Sequence, residues 1–171
     1  MVARVTTQAV RLDALPHQDR RLIRFAGADL RRFLQGLLSA DIHALRPGLA
    51  APAAILTVKG KLISEVIVLC DADESISLAV PAEIAAAVAS LIERHIVMDD
   101  VTIGLDESLR FALVWPGSAA MVAGVRGYAT RHPAPGQLLV ADELGLTAAL
   151  AGVTVASEDE WNRHRVAEAA P

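Results

Sequence analysis

The apolar positions of the chain fall into short blocks whose period changes from block to block, and each change marks a predicted element. From Arg21 to Gly27, "RLIRFAG" alternates polar and apolar and stops at a glycine, the pattern of a short strand. Leu30, Phe33, Leu34, Leu37 and Leu38 then recur at i, i+3, i+4, i+7 and i+8, which predicts an amphipathic helix. Asp29 stands at the positive end of that helix's dipole. Pro47-Gly48 marks a turn. Three apolar runs follow, 51–58, 62–69 and 75–80, with Lys59-Gly60 between the first two and "DADE" between the second pair. Connections this short predict hairpins and a largely antiparallel sheet.

Pro81 takes the first position of a helix over "AEIAAAVASLIERH". The strands "VMDDVTIGL" and "LRFALVW" come next, and "GSAAMVAGV" is compatible with a short helix. "GYATRH" and "QLLVAD" have the composition of strands around the turn "PAPG". "SEDEWNRHRVAEAA" is a helix by its Ser157 cap and its first-turn acids. Residues 1–20 are irregular, contain Pro16 and form an arm or edge strand. Two β-α-β-β-like passages in succession predict an α+β fold, a largely antiparallel sheet with helices packed on it. The length of 171 residues suits a single domain over 1–171.

Composition narrows the function classes. Hydrophobic residues make up 53% of the chain, enough for a genuine core. Net charge is −4 with both signs scattered, and only 4% of residues are aromatic, so neither a basic footprint nor a stacking platform for nucleic acid is present. The single cysteine, Cys70, excludes an internal disulfide and a cysteine-cluster metal site. Its place in "LISEVIVLC" predicts a buried structural thiol. The amino terminus has no signal-type apolar core, and no run approaches the roughly 20 residues that span a bilayer, so a soluble cytoplasmic protein is expected.

Candidate chemistry is sparse. "VKGKLIS" lacks phosphate-loop spacing, and Ser39, Ser64 and Ser118 lack a nucleophile elbow. His17, His43, His95, His132 and His164 show no ligand spacing and are expected on the solvated surface, so no metal is expected. Asp99 and Asp100 read as a charged strand edge. Glu65 interrupts an apolar strand on the face of Ile63 and Ile67, and either faces solvent or accepts hydrogen bonds from a ligand's amines in a pocket. Its apolar flanks favour the pocket.

Several of these stretches together resemble a known family. "RFAGADLRRFLQGLLSADIHALRPG", "AILTVKGKLISEVIVL" and "SISLAVPAEIAAAVASLIERHIVMDDVTI" are similar to the amino-terminal domain of the YgfZ-like folate-binding proteins, within the glycine-cleavage T-protein (aminomethyltransferase) superfamily. The terminal "EWNRHRVAEAAP" resembles, more loosely, the family pattern W-x-x-x-R-I-E-x-G-x-P. The resemblance implies ferredoxin-like β-α-β units, a tetrahydrofolate-type ligand, and Ser64, Glu65, Trp161, Arg165 and Glu168 as folate candidates. It also implies a role in one-carbon metabolism or iron–sulfur enzyme maintenance.

The departures from the family are specific. No K-G-C-Y-x-G-Q-E segment is present, and the chain reaches Pro171 where the family continues into a carboxy-terminal barrel. The family's pterin-holding glutamate falls at Ala167, with Glu168 one step, or about 100°, further round the helix. A non-catalytic accessory protein is therefore expected. The alternatives are a scaffold or small subunit of an amine-oxidising complex, acting by association with itself or a partner over the face left by the absent barrel, and a partial aminomethyltransferase.

Overall fold

A computed structural model of the chain describes residues 7–116, 119, 121–131 and 135–168. The chain divides into two compact units: residues 20–108, central in sequence, and a terminal unit of residues 1–19 with 109–171.

The central unit runs β2 (Arg20–Ala26), α1 (Leu30–Leu37), β3 (Ala50–Leu56), β4 (Leu62–Cys70), β5 (Ile76–Pro81), α2 (Ala85–Glu93) and β6 (Thr102–Asp106). Its five strands form one sheet in the order β3-β4-β5-β2-β6. Every pairing in it is antiparallel. The helical period of α1 buries Leu30 and Leu34 together with Leu38 just beyond its end. These residues pack on Ile23, Phe25, Val66, Val68 and Leu78 of the sheet, and Ala85, Val88 and Ile92 of α2 join the same core. Each large aliphatic buried in this way contributes roughly 1.5–3 kcal/mol.

The terminal unit holds β1 (Gln8–Arg11), β7 (Arg110–Trp115), β8 (Arg126–Thr130), β9 (Gly136–Ala141), α3 (Glu143–Ala149), β10 (Thr154–Val155) and α4 (Glu158–Glu168). Its sheet order is β10-β1-β7-β9-β8, antiparallel except for the two-residue pairing of β1 with β10. Ala112, Val114 and Leu139 of this sheet pack with Leu146 and Ala149 of α3.

The α+β class and the antiparallel hairpins are as predicted, with the strands shared between two sheets. Four local expectations are corrected. Pro81 does not start a helix: at ψ 132° it stays extended and pairs with Arg20, so a 3-10 turn over Ala82–Ile84 precedes α2. Residues 97–100 are not strand, because Asp99 and Asp100 hold the start of α1 instead of forming a charged edge. The described residues of "GSAAMVAGV" are not helical, and Gly124 turns there at φ +83° while residues 117, 118 and 120 lie outside the described set. β1 is not an outermost strand, since it lies between β7 and β10.

Candidate functional site

The first helix is set in place by a clasp. Gly27 has φ +130°, a conformation L side chains rarely adopt, and lets the backbone pass against residue 100. The Ala28 amide donates to the Asp100 carboxylate at 3.2 Å, and the Asp100 amide donates to Asp29 Oδ2 at 2.9 Å. Arg32 closes the group, 3.2 Å from Asp29 and 2.6 Å from Asp99. The Asp100 amide, aided by Arg32, holds the Asp29 carboxyl below the usual carboxylate range. At the other end of α1, Gln35 Oε1 accepts from the amides of Ile42 at 2.8 Å and His43 at 3.3 Å, which fixes the following loop. The Gln-Gly step is thus a loop anchor.

The candidate folate residues fall on both units. Ser64 is buried on the Val66 side of β4, and its hydroxyl donates to the Glu65 carbonyl at 2.9 Å. Glu65 lies on the opposite strand face and is exposed, where the sequence pattern favoured a pocket. Its cross-strand neighbour is Ala54, which is small enough to leave the carboxylate in water.

Trp161, Arg165 and Glu168 all lie on α4. Its capping box explains why this helix starts where it does: the Ser157 amide donates to Glu160 Oε2 at 2.8 Å, and the Glu160 amide donates to Ser157 Oγ at 3.3 Å. Trp161 is buried, its ring centroid 5.3 Å from that of Trp115. His164 stacks on Trp115 at 4.7 Å and 10° between planes, so it is half-buried rather than solvated. Its Nε2 is buried without a hydrogen-bond partner among the described residues. The expectation of a surface position holds for His17, His43 and His95, while His132 lies outside the described residues.

Two concave surfaces flank α4. One, of about 150 Å³, brings Trp161 and Arg165 together with Leu15, Pro16 and Gln18, and Arg165 Nε is fixed there by Asn162 Oδ1 at 2.9 Å. The other is an open, mainly apolar concavity of about 680 Å³ along Asp159, Asn162, Arg163, Val166 and Ala167. Those five residues follow i, i+3, i+4, i+7, i+8 spacing, a helical stripe visible in the sequence that none of the folate candidates belongs to. Ala167 supplies no carboxylate. The carboxylate on the stripe is Asp159, eight residues and about 12 Å back along the helix. Glu168, at the last position of α4, is exposed and is not among the residues lining either concavity.

Cys70 is fully buried, and burial pushes its thiol up, which matches the predicted structural role. Among the described residues no group of three or more His, Cys, Asp or Glu is placed to hold a metal ion. No helix among them is long and apolar enough to cross a membrane.

No sequence-family model matches the chain, and no curated protein matches it. Among solved structures it is similar to the glycine cleavage system aminomethyltransferase T from Bartonella henselae, with a TM-score of 0.72 over 95% of this chain and 14% sequence identity. The chain spans about half of that neighbour, 51% of its length. At that identity the likeness is one of fold: the two sheets and their helices share the architecture of an aminomethyltransferase T.

Proposed function

We propose that the chain is a YgfZ-like member of the T-protein superfamily that binds a folate and acts as an accessory to one-carbon metabolism or iron–sulfur enzyme maintenance, without catalysis of its own. The observation that carries this reading is the coincidence of fold and cavity. The architecture is that of an aminomethyltransferase T, and an open apolar concavity runs along α4 beside Ala167. By the sequence resemblance, that is the position of the family's pterin-holding glutamate. A planar heterocycle suits an apolar trough, with Asp159, Asn162 and Arg163 as polar edges. Trp161 and Arg165 shape the neighbouring face of the helix. Ser64, Glu65 and Glu168 enter the proposal through the resemblance alone.

Titration with 5-formyltetrahydrofolate, followed by heat and by thermal shift, tests it. A ligand of the native state raises stability. Ala167→Glu restores a carboxylate that can read the ring's amide and amino donors, and should tighten binding by at least about tenfold. Absence of stabilisation in both the natural chain and this variant would overturn the reading. Glu65→Gln should bind as the natural chain does if α4 is the site.

A second reading, a scaffold acting by association with a second copy or another protein, is favoured by one observation. The β3–β4 hairpin exposes Leu56, Val58 and Leu62, Val58 completely, beside a groove of about 300 Å³ along Leu37, Leu38 and Ser39. Sedimentation at increasing concentration separates the two. A clean monomer that binds folate supports the first reading, and a folate-blind dimer supports the second.

A further inference from the structure

A polar cleft of about 210 Å³ opens beside the first turn of α1, lined by Arg31, His43, Leu45, Arg46, Pro47 and Glu74. Three segments build it: α1, the loop leading to β3, and the turn between β4 and β5. Arg31 Nη1 donates to the Ile42 carbonyl at 2.9 Å, which aims the guanidinium. Its Nη2 donates to Cys70 Sγ at 3.7 Å and forms an ion pair with Glu74 Oε2 at 3.6 Å, a separation longer than a hydrogen bond. Arg46 donates to the His43 carbonyl at 3.2 Å, and no carboxylate among the described residues pairs with it. Arg46 is therefore oriented by a backbone carbonyl with its remaining donors open, whereas Arg31 is aimed by the Ile42 carbonyl and the Cys70 sulfur and loosely paired with Glu74.

The loop that carries Arg46 and His43 is held in advance of any ligand, and Arg31 faces it from the first turn of α1. Gln35 anchors the amides of Ile42 and His43, the Ala44 amide donates to Asp41 Oδ1 at 3.1 Å, and the Gly48 amide donates to the Cys70 carbonyl at 2.8 Å. Across the cleft, Glu74 sits at φ +67°, a conformation that glycine would take more easily. Holding a glutamate there sets a carboxylate opposite Arg31. The nearby acids are hydrogen-bonded within their own turns: the Ser75 hydroxyl lies 2.7 Å from Asp73 and 3.3 Å from Asp71, and Asp41 accepts from the Ala44 amide.

One planar guanidinium on α1 and, on a fixed loop, a second with an imidazole match the tetrahedral oxygens of a doubly charged anion. The geometry points to a site for the phosphate group of a small phosphomonoester. Arg31, Arg46 and His43 hold its oxygens, and Glu74 is the exchangeable counter-charge that the anion displaces from Arg31. None of the lining residues is a folate candidate, so the site stands or falls independently of the reading above.

The test is titration of the whole chain with glycerol phosphate and with inorganic phosphate, at ionic strength held constant with sodium chloride, following backbone amide NMR shifts. Saturable shifts confined to residues 42–48 and 71–75 are expected. Arg46→Gln, an exposed change that leaves the core intact, should weaken binding at least about tenfold. Glu74→Gln removes the competing carboxylate and should tighten it about two- to fivefold. Shifts that do not saturate, or affinities that both variants leave unchanged, overturn the proposal. So does saturation by inorganic phosphate with glycerol phosphate excluded, since a phosphomonoester would then not fit.

Discussion

A Cβ placed on Gly27 would lie 1.9 Å from the Asp100 carbonyl oxygen, whereas one placed on Gly36 would meet nothing within 4 Å. Gly27 before the first helix and Gly36 in its last turn therefore have opposite physical roles. Gly27 combines a positive φ with backbone contact, so Gly27→Ala must break the clasp of Asp29 and Asp100 or shift the strand beside it. A loss of roughly 3 kcal/mol or more is expected. Gly36 is an exposed residue in a helical turn, where alanine relieves an entropic cost without a clash. Gly36→Ala should stabilise by about 0.5–1 kcal/mol. Urea unfolding of the two single variants checks both signs, and equal losses in the two would contradict the distinction. Gly36 also lines the groove beside the exposed hairpin, so the same variant probes the association reading: a more stable chain that associates less would place a partner at this step.

At the scale of elements, α4 depends on its own first turn. Glu160 is held below the usual carboxylate range chiefly by the Ser157 amide and then by the Ser157 hydroxyl, the reciprocal bonds of a capping box. Ser157→Ala removes one side of that box and should cost about 1 kcal/mol. In hydrogen exchange the first turns of α4 should lose about fivefold in protection, ahead of the strands. Unchanged exchange there would show that Trp161, buried one turn further on, anchors the helix by itself. This helix start was legible in the sequence because every group in it lies within four residues. The register of α1 was legible for the same reason. The start of α2 was not, because strand pairing carries Pro81 past the point where local preference would begin a helix. Asp142 capping the Gly145 amide at 2.8 Å was a readable signal for α3 that the hydrophobic pattern did not bring out. In the candidate site, Trp161 and Arg165 share a cleft at i, i+4 as their spacing implies, but the stacking of His164 on Trp115 joins a helix to a strand distant in sequence. The same limit hid the arginine cleft, whose residues come from three segments that only the tertiary fold assembles.

At the scale of the whole molecule, the carboxylates that organise both units share one titration behaviour. In the terminal unit, Arg11 reaches Asp13 at 2.6 Å and Glu143 at 2.7 Å, and its hydrogen bonds are the leading cause of the lowered values at both acids. In the central unit, Asp29 is lowered first by the Asp100 amide and then by Arg32. Burial by itself would raise Asp106, but the bonds from Ser108 and Arg24 outweigh it and leave its value lowered. Each group binds its proton less readily folded than unfolded, where Asp and Glu titrate near about 3.9 and 4.3. The unfolded chain therefore takes up more protons as the pH falls through that range, and stability falls with it. The contribution is fully present above the unfolded values and disappears as the pH drops through the lowered folded ones. Below the isoelectric point of about 5.7 the chain also gains net positive charge, which adds self-repulsion in the same direction. Urea midpoints should thus be level from neutral pH to about 5 and then decline. Arg11→Gln should flatten the decline by releasing Asp13 and Glu143 together, and raising the salt concentration should do the same in smaller measure because these pairs are solvent-screened. A midpoint unaltered between neutral and strongly acidic solution would mean that these pairs are equally formed in the unfolded chain. An acid limb identical in Arg11→Gln would assign it to the carboxylates that variant leaves untouched, Asp29 and Asp106 of the central unit and Glu160 at the start of α4.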